Sequence, residues 1–219
     1  MQPRLSQKRN AAMTLFEVGV CIAVVMVLAI FLLPAITHRP HRGSHISCAN
    51  NVKQVGLAFK IWAGDNGDIL PMGISVTNGG SMEMVATGNV VQTFLVMSNE
   101  LSTPKVLFCP EDAARIRATF FGGLANSNVS YFVSVDATND VNPQLIISGD
   151  GNFETGGKPV KPGLNSFWTN DPVAWSPTAR HIKTGNIGLA DGSVQSTTST
   201  SLRHYFQQTG LATNRFAIP

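Results

Sequence analysis

Four polar residues in the C-terminal part of the chain have the side-chain types of a hydrolytic site: Asp150, His181, Asp191 and Ser193. Hydrolysis through a serine needs a histidine base beside the hydroxyl and a carboxylate that orients the base. The sequence has no G-x-S-x-G turn, no H-E-x-x-H helix and no phosphate-binding loop to arrange such groups. We therefore predict that the protein is not an enzyme, that His181 is a hydrogen-bonded structural residue and that Asp191 belongs to a turn.

The three cysteines suggest a cross-link rather than a reactive thiol. Cys21 lies in a long apolar segment and is expected to act as a small apolar residue. Cys48 begins an amphipathic segment and Cys109 ends a predicted strand, so the two sulfur atoms meet if the helix packs across that strand. A disulfide would close a loop of about 60 residues and would need an oxidising compartment. Two separate buried thiols remain the alternative.

One acidic residue, Glu17, lies near the start of this apolar segment. Residues 13–36 are long enough to cross a hydrocarbon core of about 30 Å as a helix. An isolated carboxylate at membrane depth costs about 2.5–3.5 kcal/mol. Glu17 therefore either lies at the cytoplasmic boundary or has a cationic partner, and a free amino terminus beside it would be such a partner.

The basic character of the chain belongs to its N-terminal tip. Of 16 basic residues, Arg4, Lys8 and Arg9 precede residue 13, and none of the 13 acidic residues does, so residues 13–219 carry 13 of each sign. No basic patch remains for nucleic acid, and the tip is expected to stay in the cytoplasm. A cleaved secretory signal would have a shorter apolar core, a lipoprotein signal needs a small residue where Val20 precedes Cys21, and a plain anchor leaves Glu17 unexplained.

The segment RNAAMTLFEVGV resembles the leader of type IV pilins and type II secretion pseudopilins. The resemblance implies that a prepilin peptidase cuts between Ala12 and Met13, that Met13 becomes N-methylated, and that Glu17 is the fifth mature residue. In the filament Glu17 would then neutralise the N-terminal amine of a neighbouring subunit. Pro34 stands where these helices commonly have a proline, whereas Ala12 departs from the usual glycine.

A second resemblance concerns His181, which is followed by nine residues and then by Asp191-Gly192. This pattern is similar to the H-X9-DG segment of pseudopilin-like proteins of the Planctomycetes–Verrucomicrobia group, as are CANNVKQVGLAFKIWAGDNG, LFCPED and SYFVSVDAT. Major pseudopilins often bind calcium in a C-terminal loop, so the resemblance makes three aspartates candidate oxygen ligands, although no EF-hand spacing is present: Asp150, Asp171 and Asp191. No other metal and no cofactor is predicted.

The predicted fold is α+β: an N-terminal transmembrane helix, then an amphipathic helix packed on a β-rich, mainly antiparallel, pilin-like C-terminal domain. The predicted parts are a leader (1–12), a transmembrane and assembly helix (13–37) and an extracytoplasmic domain (38–219). Apolar residues spaced by three and four indicate the amphipathic helix at about 46–63, and Pro40 and Gly43 disfavour its extension. Further predicted elements are strands at 90–96, 105–109, 129–135 and 144–148, an H-X9-DG hairpin at 181–197 and a helix at 201–209.

These patterns predict a structural subunit, pseudopilin-like, in a type II secretion or type IV pilus-like filament. Its expected partners are prepilin peptidase, other subunits, an inner-membrane assembly platform and membrane lipid. The expected location is the inner membrane, single-pass, with a periplasmic C-terminal domain, or an extracellular one in a pilus. The alternative is a membrane-tethered periplasmic module that binds a polysaccharide or another polymer, with Trp62, Trp168 and Trp175 as candidate sugar platforms.

Overall fold

The computed structural model describes residues 14–36, 40–139 and 141–219, with side chains at 14–30 and from 44 onward except 140. The chain divides into one compact unit that ends at Pro40 and a second unit, His41–Pro219. The predicted leader, with Ala12 and Met13, lies outside the described residues.

The first unit contains the helix α1, Leu15–Ile36, in which Pro34 lies near the C-terminal end. Glu17 helps to start this helix: its Oε2 accepts hydrogen bonds from Thr14 N at 2.7 Å and from Thr14 Oγ1 at 3.0 Å. Thr14 Oγ1 in turn accepts the Glu17 N–H at 3.3 Å. The two residues form a reciprocal capping box, which supplies acceptors for amide groups that the helix itself leaves unpaired.

The predicted transmembrane helix at 13–37 is wrong for the part of the chain that the structure describes. No helix there combines the length and the hydropathy that a membrane crossing requires. A crossing takes about 20 consecutive apolar residues in one helix. The other parts of the fold prediction, the α+β class and the mainly antiparallel strand pairing, are confirmed.

The helix α2, Pro40–Asp65, opens the second unit. It starts earlier than the predicted residue 46, because proline suits the first helical position, where its missing N–H has no intrahelical partner. One face is buried, and its residues recur every three or four positions: Cys48, Val52, Val55, Phe59 and Trp62. This face packs in a single core with Tyr131 and Val133, two residues of the first β-strand of the chain.

The segment from 71 to 107 is helical rather than β-rich, so the predicted strands at 90–96 and 105–109 are wrong. Residues 90–96 lie mostly in a helix because Val90, Phe94 and Met97 are fully buried at helical spacing. Residues 105–109 follow a Thr103 cap and Pro104, which start a 3-10 turn. The elements are α3 Met82–Ala86, α4 Val91–Val96, α5 Ser98–Leu101, and 3-10 turns at Pro71–Gly73, Val76–Asn78 and Pro104–Leu107.

Two antiparallel sheets form the remainder. The larger has six strands in the order β5-β9-β1-β2-β7-β8, and the smaller has three in the order β4-β3-β6. The predicted strands at 129–135 and 144–148, the hairpin and the C-terminal helix correspond to β1, β2, β7–β8 and α6. The bounds are β1 Tyr131–Ser134, β2 Ile146–Asp150, β3 Phe153–Thr155, β4 Lys158–Pro159, β5 Gly163–Trp168, β6 Val173–Trp175, β7 Thr184–Leu189, β8 Val194–Thr198, α6 Ser199–Gln208 and β9 Thr213–Ile218.

The central strands of the six-stranded sheet are buried on both faces. Side chains of β1 alternate between the two: Tyr131 and Val133 join the core with α2, whereas Phe132 joins the opposite core. The opposite core is built largely from aromatic rings and is covered by α6 through Leu202 and Phe206. Because both faces of β1 are covered, all four of its residues are buried.

Candidate functional site at the disulfide

A disulfide joins α2 to the segment that follows Pro104–Leu107. The Cα atoms of Cys48 and Cys109 lie 5.0 Å apart across a sequence separation of 61, and both side chains are fully buried. The structure thus forms the cross-link that the sequence left open against two separate thiols. It indicates an oxidising compartment. Cys21 is a free, exposed thiol on α1.

The buried imidazole of His181 lies directly against this disulfide. Its Nε2 is 3.4 Å from Cys109 Sγ and 3.4 Å from Asp150 Oδ2. Its Nδ1 is 2.7 Å from Glu111 Oε2. The ring of His45, on α2, meets the His181 ring edge-on with 4.4 Å between centroids. We call these six residues the disulfide–histidine site: His45, Cys48, Cys109, Glu111, Asp150 and His181.

The loop that carries His181 has an uncommon backbone. Arg180, Ile182 and Lys183 have φ of 50°, 33° and 61°, in the left-handed region that costs a side-chain-bearing residue energy. Hydrogen bonds hold the loop: among them, Thr184 Oγ1 donates to His181 O at 2.5 Å, and Lys183 N donates to Ser176 O at 2.9 Å. The strained residues on either side turn the imidazole inward, towards the disulfide.

A buried ion pair braces the same loop. Arg180 Nη2 lies 2.5 Å from Asp112 Oδ2, and Arg180 Nη1 donates to Ser130 O at 2.5 Å. The hydroxyl of Ser130 donates to Asp112 Oδ2 at 2.8 Å and accepts the Cys109 N–H at 3.0 Å. Every charge in this brace has a partner, which a buried ion pair needs in order not to destabilise the fold.

The charges of the disulfide–histidine site favour a protonated His181. Burial lowers the pKa of His181, but the Asp150 and Glu111 carboxylates outweigh burial and raise that pKa above 6.5. Burial likewise raises the pKa of Asp150, but His181, Arg180 and the Asn186 N–H outweigh it, so that pKa falls below 3.8. Burial, and then the charge of His181, lower the pKa of His45.

The two ends of the H-X9-DG segment, His181 and Asp191-Gly192, lie near two different positions along α2. His181 lies beside the disulfide. A Cβ built on Gly188 would lie 3.3 Å from Val52 Cγ1, and one built on Gly192 would lie 3.8 Å from Lys60 Cγ. The contacts follow in the same order along both elements, so β7 runs alongside α2.

The lengths of the two elements agree with this arrangement. The 12 residue-to-residue steps from Cys48 to Lys60 rise about 18 Å along the helix, and the six residues of β7 extend about 20 Å. Asp191 and Gly192 then lie in a four-residue hairpin loop, Gly192 with φ of 86° and Asp191 Oδ1 accepting the Ser193 N–H at 2.8 Å. Asp191 is thus a turn residue.

The four candidate hydrolytic residues are not gathered into one place. Asp150 and His181 meet, but Asp191 and Ser193 lie in the hairpin loop and bond to each other. The described polar side chains around the His181 ring are two carboxylates, a sulfur and the His45 imidazole, and no serine hydroxyl is among them. Absence of enzyme activity stays a prediction.

The three candidate calcium ligands are likewise apart. Asp150 ends β2, Asp171 Oδ2 accepts the Trp168 N–H, and Asp191 lies in the hairpin loop. Among the residues that the structure describes, one group brings three ligand atoms within 4.8 Å of one another: Cys48, Cys109 and His181. Calcium binding stays a prediction, without a gathered set of oxygens.

Sequence reasoning missed three members of the site and its brace, Glu111, Asp112 and Arg180, and it assigned the histidine-rich segment with His45 to a polar boundary that contacts lipid head groups. A signal existed for two of them, because Cys-Pro-Glu-Asp places both carboxylates directly after a cysteine. His45 stands three residues before Cys48, on the same face of a helix. Arg180 carried no signal, since its partners are distant in sequence.

A cavity of about 410 Å³ adjoins the brace. Asn152 is buried in its wall, and no described residue donates a hydrogen bond to Asn152 Oδ1. Charged residues form another part of the wall: Glu111, Asp112, Arg115 and Arg180. The cavity can therefore accept a small polar group that donates a hydrogen bond.

Comparison of the chain with protein-family models, with curated proteins and with solved structures finds no significant match.

Proposed function

We propose that this protein is a pseudopilin-like structural subunit of a type II secretion or type IV pilus-like filament, assembled through α1. One observation carries the proposal. The described side chains of α1 are almost all exposed and apolar, from Leu15 at 92% and Phe16 at 81% to Ile30 at 68%. A helix that is apolar all round has to be covered by other molecules. Helices of neighbouring subunits are the proposed cover.

Glu17 has two roles in this proposal. In the single chain it caps its own helix through Thr14. In the filament its charge would neutralise the amino terminus that prepilin peptidase creates at Met13 of a neighbouring subunit. The two roles are separable, since glutamine also completes a capping box but carries no charge.

The second unit suits a subunit that bears axial load. The disulfide and the Arg180 brace tie α2 to the sheet at its N-terminal half, and the hairpin loop contacts it near Lys60. A force on α2 would thus be shared by the whole domain. The proposal puts His41–Pro219 in the periplasm, in keeping with an oxidising compartment.

The free thiol of Cys21 gives a direct test. Cells that produce the full chain together with a type II secretion or type IV pilus assembly system are treated with a bismaleimide. The reagent joins Cys21 of two adjacent chains, while Cys48 and Cys109 stay protected as a disulfide. We expect cross-linked dimers, and none from Cys21→Ser. Glu17→Gln should lower the dimer fraction about tenfold or more, because an unpaired charge in a low-dielectric contact costs about 3–5 kcal/mol.

Thr14→Ala is the matched control, since it removes the hydroxyl of the capping box, keeps the backbone N–H bond to Glu17 and leaves the Glu17 charge in place. It should keep the dimers. Intact mass of each variant checks that the chain starts at Met13. An unchanged dimer fraction in Glu17→Gln, or an equal loss in both variants, would overturn assembly through this charge.

A polymer-binding module is the second candidate, favoured by the cavity and its unpaired Asn152 oxygen. Of the three candidate sugar platforms, Trp62 and Trp175 are buried in the cores, and Trp168 is 62% exposed. Titration with cellohexaose should then quench tryptophan fluorescence in the wild type and not in Trp168→Ala. Absence of quenching in the wild type argues against this candidate.

A further inference from the structure

The disulfide–histidine site has the donor atoms of a zinc centre. Cys48 and Cys109 sulfurs and a His181 nitrogen all lie within 4.8 Å of one another, and all three side chains are buried. We propose that the chain binds one Zn²⁺ ion here when the disulfide is reduced, with Asp150 as the fourth ligand. Thiolates ligate zinc and a disulfide does not, so the metal-bound and the cross-linked forms exclude each other.

The distances fit a tetrahedral ion. Zinc bonds of about 2.3 Å to sulfur and about 2.0–2.1 Å to nitrogen or oxygen set neighbouring ligand atoms about 3.4–3.8 Å apart. His181 Nε2 is 3.4 Å from Cys109 Sγ, and the Asp150 carboxylate lies beside it, with its Oδ2 3.4 Å from Nε2. Once the bond between the sulfurs is broken, they separate to van der Waals contact, which is close to their spacing on zinc. The two sulfurs and His181 Nε2 need little movement, whereas the Asp150 carboxylate, which is not part of the group within 4.8 Å, has to turn towards the sulfurs.

A second observation points to a ligand at the same place. Asp150 is fully buried, and no described residue donates a hydrogen bond to its Oδ1. A buried carboxylate oxygen without a donor is costly, and a metal ion would satisfy it. The other oxygen is fixed by Asn186, whose backbone N–H and side-chain amide both donate to Oδ2 at 2.8 Å. Asp150 is thus already oriented.

The surroundings also match those of metal sites. A histidine that ligates a metal through one nitrogen usually meets a carboxylate at the other. Here His181 Nδ1 lies 2.7 Å from Glu111 Oε2, and Glu111 Oε1 accepts the Ser44 hydroxyl at 2.5 Å. Two thiolates, an imidazole and a carboxylate select zinc over calcium or magnesium, which prefer oxygen ligands alone.

The conversion between the cross-linked form and the zinc-bound form is a balanced reaction. A phosphine reduces the disulfide to two thiols and becomes a phosphine oxide, taking its oxygen from water. The ion then replaces the two thiol protons, which leave to solvent. In reverse, the two thiolates pass two electrons to a small-molecule disulfide, which becomes two thiols, and the ion is released as the protein disulfide forms.

Cobalt titration of the full chain, reduced with a phosphine, tests the site, because tetrahedral Co²⁺ bound to thiolates absorbs in the visible. We expect one Co²⁺ per chain, displaced by one Zn²⁺, and no binding to the oxidised chain. His181→Ala should weaken binding about tenfold or more. Cys21→Ser and Asp191→Asn, which change a cysteine and an aspartate outside the site, should bind as the wild type does.

Thermal unfolding of the reduced wild type gives a readout that needs no variant to fold. An ion that binds the folded chain alone raises the unfolding temperature. Zinc should raise it and magnesium at equal concentration should not. The proposal fails if zinc and magnesium act alike, or if the reduced Cys48→Ser, Cys109→Ser double variant gives the same cobalt spectrum as the wild type.

Discussion

The two faces of the six-stranded sheet are stabilised by different means. On one face a cluster of rings packs by area and shape, with Phe153 between Trp175 at 4.8 Å and Phe132 at 5.2 Å. On the other face α2 is held by a disulfide, a buried histidine and the Arg180 brace as well as by apolar contact. The aromatic face is insensitive to redox state and pH by its chemistry, whereas the α2 face is sensitive to both. The difference can be measured.

The largest effect is expected on the aromatic face. Phe153→Ala should lower the free energy of unfolding by about 3–5 kcal/mol, because it leaves a cavity among four rings. Urea unfolding measures the loss, which should be equal with and without reductant. Trp168→Ala, at an exposed ring, should change stability by at most about 0.5 kcal/mol. A Phe153→Ala loss under about 1 kcal/mol would contradict a tightly packed face.

On the α2 face, the double variant Cys48→Ala, Cys109→Ala should lose about 3–4 kcal/mol, mainly because the unfolded chain gains freedom when a loop of 61 residues is opened. Reductant should lower the urea midpoint of the wild type and leave that of the double variant unchanged. Cys21→Ser should match the wild type. If reductant leaves the wild-type midpoint unchanged, the cross-link does not stabilise this face.

Two glycines of β7 allow the two faces of the six-stranded sheet to be compared within one strand. A Cβ on Gly185 would lie 2.6 Å from the Trp175 ring, and a Cβ on Gly188 would lie 3.3 Å from Val52 Cγ1. The fully buried indole cannot yield, so Gly185→Ala should cost about 1–3 kcal/mol. Gly188→Ala should cost less, since Val52 has only to shift slightly. Equal losses would mean that both faces are packed with the same tolerance.

The smallest effect is a pH dependence confined to the α2 face. The raised pKa of His181 gives stability that is present below about pH 6.5 and lost as pH rises through the raised pKa. The lowered pKa of Asp150 gives stability that is present above about pH 3.8 and lost as pH falls through the lowered pKa. Stability should therefore decline as pH rises from about 6.5 through the raised pKa of His181.

The variant His181→Gln should remove this decline. His45 opposes it at low pH, because its lowered pKa disfavours the protonated form in the fold. The slope is therefore measured by urea unfolding in the wild type and again in a His45→Gln background, with Glu111 and Asp150 intact in both. A decline that persists in His181→Gln would have to arise from another group.

Prediction from the sequence was most accurate for elements in which a single periodic pattern of apolar residues buries one face. The α2 stripe from Cys48 to Trp62, the hairpin around Asp191-Gly192 and the helix α6 were all predicted close to their observed bounds. Each is a local pattern whose meaning does not depend on distant parts of the chain. The mistaken strand at 90–96 shows the limit, since its β-branched residues suggested a strand while its buried positions followed a helical period.

The site was less predictable for a physical reason. The sequence offered His181, Asp150 and a Cys48–Cys109 pair, but it could not assemble them, because their contacts span from 31 to over 130 positions along the chain. Glu111 and Arg180 carried no prediction, because their partners His181 and Asp112 are distant in sequence. Glu17, predicted to meet a neighbouring subunit, has a partner three residues away in Thr14.

Because β7 lies alongside α2, the number of residues between His181 and Asp191, which is nine, is fixed by the contacts with the helix. Adding or removing one residue within the strand would turn every following side chain to the opposite face. Ile187 or Leu189 would then face Val52, where Gly188 now allows close approach. Chains that share this architecture can vary their surface loops widely, but each must cover the same distance from histidine to turn with the same count of residues.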